Sequence, residues 1–236
     1  MEISIIGFGQ LGQFIAKHLK AHLDVFVSDT SSKEEEAKEI GVKFVSLDLA
    51  ASKDIVIIAV PINQFKGVID DIKDKIKPGA LLLDVCSVKV RPSEIMKNLI
   101  SSDVEIIATH PLFGPQSGSH GINGLKIVLC PIRTKRLGQV KHFLEKLGLK
   151  VLIATPEEHD NQMAKTGCLA HFVGRALINL DIKEFEITEP SFNKLMELKD
   201  MLKEDSIELF NDIQKNNPFA AKIRKNIINE LINIKI

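Results

Sequence analysis

Tryptophan and tyrosine are both absent from the 236 residues, so twelve phenylalanines are the only aromatic packing units and the strong near-ultraviolet chromophores are missing. Cysteine is scarce. Cys86, Cys130 and Cys168 are odd in number and widely spaced, which excludes a disulfide scaffold and the paired spacing of a zinc site. No metal is expected, and free thiols suit a reducing, cytoplasmic compartment. An excess of charge is missing too, because 31 basic and 31 acidic residues give a formal net charge of +0. The two signs are interspersed, so no electrostatic footprint for nucleic acid is present. No apolar run approaches the ~20 residues that cross a bilayer. The first strand-like run begins at Ile3 with no basic leader, and no membrane partner is expected.

Hydrophobic residues make up 44% of the chain, enough for a sizeable core. Short runs rich in Val and Ile recur at Ile3 to Ile6, Val25 to Val27, Ile55 to Val60, Leu81 to Val85, Ile106 to Ala108, Ile127 to Leu129 and Val151 to Ala154. They read as strands buried on both faces. Between them lie segments with apolar residues at helical spacing: Leu11 to Leu23, Ser32 to Ile40, Asn63 to Ile76, Pro92 to Ile100 and Arg136 to Leu147. This alternation predicts an α/β fold, a Rossmann-type doubly wound and mostly parallel sheet over residues 1–154. Ser32-Lys33-Glu34-Glu35 reads as a capping box, and Gly41 as a helix end.

After Ala154 the signals are helical only. Thr155-Pro156-Glu157-Glu158 supplies a cap, a first-turn proline and an acid, so a helix is expected to start there and run toward Leu180. Glu186 to Pro190 breaks the run, and two or three further helices end in the Ile-rich tail Ile227 to Ile236. Residues 155–236 therefore form a smaller all-helical domain, small for an independent core. Packing against a second copy would cover its apolar faces, so a homodimer through this domain is expected.

Gly7, Gly9 and Gly12 fall where the first strand turns into the first helix. They suit, in order, a tight turn, close backbone approach to a pyrophosphate, and close helix packing. Gly7, Phe8, Gly9, Gln10, Leu11 and Gly12 are thus the expected dinucleotide turn. Asp29 ends the second strand, where a carboxylate accepts ribose hydroxyls and repels a 2′-phosphate, which favours NAD over NADP. Thr30 to Lys33 follow at once and leave a phosphate-binding reading, and NADP, open. Val60 and Pro61 end a further strand and are expected to line the cofactor cleft. Two more strand ends reach the same edge, one carrying Asp84 to Lys89 and the other Thr109-His110-Pro111. The proline holds His110 extended and outside any helix. A histidine there can take the hydroxyl proton of an alcohol that loses hydride to a nicotinamide. Ser87 either joins it or caps a helix.

With these residues the chain resembles the prephenate and arogenate dehydrogenase family over nearly its whole length. The likeness rests on Gly7 through Phe14, Asp84 through Lys89, His110-Pro111-Leu112-Phe113-Gly114-Pro115-Gln116-Ser117-Gly118 and Glu158-His159-Asp160. Ala170 to Arg175 and Asp205 to Asn217 are most similar to the plant arogenate branch. The resemblance implies oxidation of a cyclohexadienol, prephenate or arogenate, at its ring C4 hydroxyl, with loss of the ring carboxylate as carbon dioxide in tyrosine biosynthesis. It implies His110 as the base, Ser87 as the group that orients either the C4 oxygen or the histidine, and Lys89, Gln116 and His171 as substrate contacts. It leaves Arg175 between substrate and dimer contact. Gln116 stands where many relatives carry an acid. An arginine of the helical domain has no clear counterpart between Phe192 and Asp205, where Lys194 and Lys199 are the candidates. Two other readings remain: another two-domain nicotinamide oxidoreductase, of the 3-hydroxyacid dehydrogenase or pyrroline carboxylate reductase type, and a non-catalytic dinucleotide sensor.

Overall fold

The Val- and Ile-rich runs do form the strands of one sheet, and the helices between them sort onto its two faces according to where their apolar stripes point. The computed structural model describes residues 2–183, 185–203 and 205–235. The chain divides into two compact units, Met1–Pro156 and Glu157–Ile236. The division falls after Pro156, where the sequence suggested Ala154.

In the first unit the strands are β1 (Glu2–Ile6), β2 (Asp24–Ser28), β3 (Lys43–Phe44), β4 (Ile55–Ile58), β5 (Leu81–Asp84), β6 (Glu105–Pro111), β7 (Lys126–Arg133) and β8 (Lys150–Ile153). Their order is β3-β2-β1-β4-β5-β6-β7-β8. Neighbours are parallel except for β6 and β7, which run antiparallel. The helices are α1 (Gln10–Leu19), α2 (Glu34–Ile40), α3 (Leu47–Ala51), α4 (Ile62–Ile72), α5 (Val90–Leu99) and α6 (Leu137–Lys146). One face of the sheet packs Phe65, Ile69 and Ile72 of α4 and Met96 of α5 against Val56, Ile58, Leu82 and Ile106. The other packs Ala16 and Leu19 of α1 and Ala37 and Ile40 of α2 against Ile3, Ile5, Val25 and Val27. Each fully buried branched side chain contributes about 1.5–3 kcal/mol. Because α1 and α3 lie on opposite faces, the winding reverses between β1 and β4, which opens a crevice at the carboxyl ends of those strands.

Two local expectations are corrected. The capping box is not made: α2 starts at Glu34, and its cap position, Lys33, gives no side-chain bond. The Lys33 ammonium instead reaches the Phe8 carbonyl at 3.1 Å. Gly41 does end α2 in the left-handed conformation, φ 81°. The long helix after Thr155 is broken into α7 (Pro156–Lys165) and α8 (Gly167–Asn179). The Thr166 hydroxyl donates to the Gln162 carbonyl at 2.9 Å, competing with the helical ladder just before a glycine.

The second unit adds α9 (Pro190–Leu202), α10 (Ile207–Asn216) and α11 (Ala220–Asn233). Its small apolar core is Cys168, Ile213 and Ala220, with Leu209 packed on it. Gly174 lets α8 approach α9, since a Cβ there would strike the Leu202 side chain. Buried polar bonds tie the helices: Gln214 Nε2 donates to the Cys168 carbonyl at 2.6 Å, Asn217 Nδ2 to the Asp160 carbonyl at 2.8 Å, and Arg224 Nη1 to the Gln214 carbonyl at 2.7 Å.

Candidate active site

The site begins at the glycine turn. Gly7 has φ +100°, open to glycine at no steric cost, and a Cβ on it would collide with the Ala59 carbonyl across the β1–β4 crevice. At Gly12 a Cβ would land on the Gly7 carbonyl, so the first turn of α1 can close only over glycine. A Cβ at Gly9 would meet nothing within 4 Å. The backbone there faces open space, ahead of a helix with no acid in its first turn and no side-chain cap. Free helix-terminal N–H groups, a positive dipole end and room for close approach together fit a pyrophosphate. The Phe8 side chain is fully buried in the core, so Phe8 shapes the turn and does not present a ring to a ligand. Leu11 likewise packs its side chain toward the sheet, whereas Gln10 is exposed.

Asp29 lies just past β2. One carboxylate oxygen accepts from Phe8 N at 2.7 Å and the other from Ser31 N at 2.9 Å, with Lys33 Nζ 3.6 Å away. Partial burial pushes its carboxyl up, but the Ser31 and Phe8 N–H groups and the Lys33 ammonium outweigh it, and the pKa is lowered. The ionised carboxylate is thereby fastened to the glycine turn itself. Val60 and Pro61 follow β4, half-buried beside the same crevice, and Ala59 N donates to the Ile6 carbonyl at 2.7 Å.

The ends of β5 and β6 are held by a fully buried ion pair between Lys89 and Asp84. The expectation that Lys89 meets a substrate carboxylate is corrected here. Its ammonium is spent inside the protein, on Asp84 and on the Thr109 carbonyl at 2.5 Å. Asp84 also accepts from Cys86 N at 3.0 Å and Thr109 N at 3.2 Å, while its own carbonyl accepts from Thr109 Oγ1 at 2.5 Å. Asp84 thus braces both the 85–89 loop and the residue before His110. Sequence reasoning missed this role, although an acid at one strand end with a lysine five residues on was a usable signal.

His110 is 8% exposed and opposes Val128 on β7. Its side chain shares a sheet face with Asp84, because Ala108 is the lateral partner of Asp84 and His110 lies two residues further on. Ser87 sits half-buried in the bend between β5 and α5. Gln116 is exposed in the turns after β6.

The remaining expected contacts lie in the second unit. His171 Nδ1 is 3.6 Å from Asp205 Oδ2, and Arg175 Nη2 donates to the Asp205 carbonyl at 3.3 Å while its guanidinium stacks over Phe210. Burial lowers the His171 pKa below 6.5; Asp205 opposes this and Arg175 adds to it. Lys194 pairs with Glu197, and Lys199 donates to the Ile182 carbonyl at 2.5 Å. His159 Nδ1 bonds Asp160 Oδ1 at 2.8 Å, both buried. Among the described residues no helix is long and apolar enough to cross a membrane.

With this geometry in view, a family profile described as the nucleotide-binding domain of prephenate dehydrogenase matches residues 15–164, more than half of the chain. A second, described as a TYRAAT1-like C-terminal domain, matches residues 176–235. A probable arogenate/prephenate dehydrogenase of Methanocaldococcus jannaschii is 34% identical over 247 residues, covering 98% of this chain and 55% of that protein. The chloroplastic arogenate dehydrogenase 2 of Arabidopsis thaliana is 29% identical over 234 residues, covering 94% of this chain and 65% of that protein. The chain therefore spans between half and two thirds of these relatives. Among solved structures, prephenate dehydrogenase from A. aeolicus in complex with hydroxyphenyl propionate and NAD+ superposes with TM-score 0.79 at 21% identity, covering 98% of this chain and 88% of that one. Synechocystis arogenate dehydrogenase gives 0.76 at 22% identity, covering 98% and 89%.

Proposed function

The chain belongs to the prephenate dehydrogenase family, and from that premise we propose that it converts prephenate or arogenate by oxidative decarboxylation in tyrosine biosynthesis, with NAD as hydride acceptor. The observation that carries this reading is the convergence at one sheet edge of a glycine turn built for a pyrophosphate and a histidine on an extended strand end. NAD, when bound, takes hydride from the ring carbon that bears the hydroxyl. Gly9 and the first N–H groups of α1 hold the pyrophosphate, Asp29 the ribose hydroxyls, and Val60 and Pro61 the wall of the crevice. His110 accepts the proton of the C4 hydroxyl, so the oxygen can form a carbonyl as hydride departs. The bond to the ring carboxylate then breaks, its electron pair completes the aromatic ring, and the proton returns to the phenolic oxygen. Ser87 orients His110 or the substrate oxygen. Asp84 and Lys89 position the strand end without touching substrate. Gln116 supplies an uncharged hydrogen bond from the loop after β6.

NAD is preferred because the Asp29 carboxylate, kept ionised by its donors, repels a 2′-phosphate. The A. aeolicus complex with NAD+ supports the choice. We further propose a homodimer through the helical unit and a cytoplasmic location. Fluorescence-detected NADH formation tests the activity, with prephenate and arogenate each offered NAD and NADP. NADH from one cyclohexadienol with NAD is the expected result. No reduced cofactor from either substrate, under conditions where NAD binds, would overturn the reading.

A further inference from the structure

Outside the crevice the first unit holds a cavity of about 210 Å³, on the sheet face that carries α1, α2 and α6. Its origin is topological. The crossover helices of β4, β5 and β6, namely α3, α4 and α5, all lie on the opposite face. On the near face α1 and α2 cover β1 to β3, α6 covers β7 and β8, and no crossover helix covers the middle strands. Ile57, Leu83 and Thr109 form the floor of the gap, Phe14 and Val140 stand on its two sides, and Phe113 leans in from the loop after β6. Edge contacts between Phe14 and Phe113, and between His22 and Phe143, brace the flanking elements and hold the gap open.

We propose that this cavity is a second small-molecule site, and that its ligand is a neutral, apolar molecule about the size of one aromatic ring. Volume and lining both argue for that class. An apolar cavity of roughly 150 Å³ stays dry and takes up benzene, and this one is larger and walled by aliphatic and aromatic carbon. Of the four polar side chains on its lining, His18, Thr109, Arg136 and Gln139, three are engaged within the protein. Arg136 holds Glu105 at 2.8 Å and the Gly79 carbonyl at 2.8 Å, Thr109 Oγ1 is bonded to the Asp84 carbonyl, and His18 Nδ1 donates to the Phe14 carbonyl at 2.9 Å. Among the described residues no acidic side chain lines it. A carboxylate or zwitterion entering would lose its water for at most the neutral Gln139 amide in return, which does not offset burial of a charge, so amino acids and the cyclohexadienol substrates are disfavoured. Thr109 and Pro111 line the wall and flank His110 in the chain, so an occupant bears on the same strand from its other face.

The inference rests on the fold and not on the proposed activity, and its test is a binding measurement. Toluene is titrated into the whole protein by calorimetry and by methyl NMR, with benzoate and phenylalanine as charged controls. Saturable one-to-one binding with Kd below about 1 mM, and methyl shifts confined to the cavity lining, Ile57, Leu83, Val140 and Leu144 among them, is expected. Val140→Phe, which fills the gap, should weaken toluene binding at least tenfold; Ile15→Phe repeats the test from α1. Unsaturable shifts, shifts scattered over the surface, equal binding of benzoate, or unweakened binding in a folded filling variant would overturn the proposal. Should both variants fail to fold, the wild-type methyl map decides alone.

Discussion

Asp29 joins the proposed cofactor choice to local structure. Its carboxylate takes two main-chain N–H bonds and lies near the Lys33 ammonium, so replacing it changes both the proposed ribose contact and the turn. Asp29→Ser is expected to raise KM for NAD about tenfold or more, the loss of a hydrogen bond to a charged group, and to narrow the preference over NADP because Lys33 is released. Steady-state kinetics with both cofactors check this; an unchanged ratio would contradict it. The three cysteines make a second prediction at this scale. All are buried, and burial, with Asp160 nearby, pushes the Cys168 thiol up to about 11. The native protein should react with maleimide at neutral pH far more slowly than the denatured chain. Fast labelling of Cys168 in the native state would oppose this account. The residues legible from sequence were those whose backbone requirement leaves few choices: the glycines at Gly7 and Gly12, and a histidine before proline. Lys89 taken alone was misread, because a lysine just before a helix reads the same whether it points to solvent or to a buried carboxylate; its spacing from Asp84 was the signal that separates the two.

Strand ends and helix ends carry the next set of consequences. The Asp84–Lys89 pair is fully buried, so removing one partner strands the other charge in the interior. Lys89→Met is expected to destabilise by about 3–5 kcal/mol, and the double variant Asp84→Asn with Lys89→Met by clearly less. Thermal denaturation distinguishes the cases; additive losses would show that the two residues act separately. In the helical unit, the pKa of His171 is lowered by burial, so folding favours its neutral form. The stability it contributes is complete above its ordinary value of 6.5 and is lost as pH falls through the depressed folded value. His171→Gln should therefore flatten the dependence of stability on pH below 6.5, as measured by denaturant titration. An unchanged slope would exclude that origin. Long, strongly periodic elements were readable from sequence. The two-residue β3 and five-residue α3 were not, since they are too short to show a period. The break at Thr166 was hidden because its cause is a side-chain bond to Gln162 and not a proline.

At the scale of the whole molecule, strand order explains the placement of the candidate site. The reversal between β1 and β4 sets the glycine turn beside Val60, and β5 and β6 follow on the same edge with Asp84 and His110. The alternation of strands and helices was enough to anticipate that architecture. The antiparallel β7 was not separable, because its buried run looks like that of a parallel strand. The helical unit exposes Leu180, Phe185, Ile187, Leu231 and Ile232, with Ile187 at 97%, and the proposed second copy would cover such side chains. Sedimentation should therefore show a dimer, and Leu231→Glu with Ile232→Glu should shift it toward monomer; a wild-type monomer at micromolar concentration would contradict the proposed assembly. The claim on which the account turns is that His110 takes the substrate's hydroxyl proton. The most direct measurement is the turnover of His110→Asn, with NAD binding followed in parallel. The account predicts a loss on the order of a hundredfold or more in kcat with NAD affinity retained, whereas undiminished turnover would contradict it.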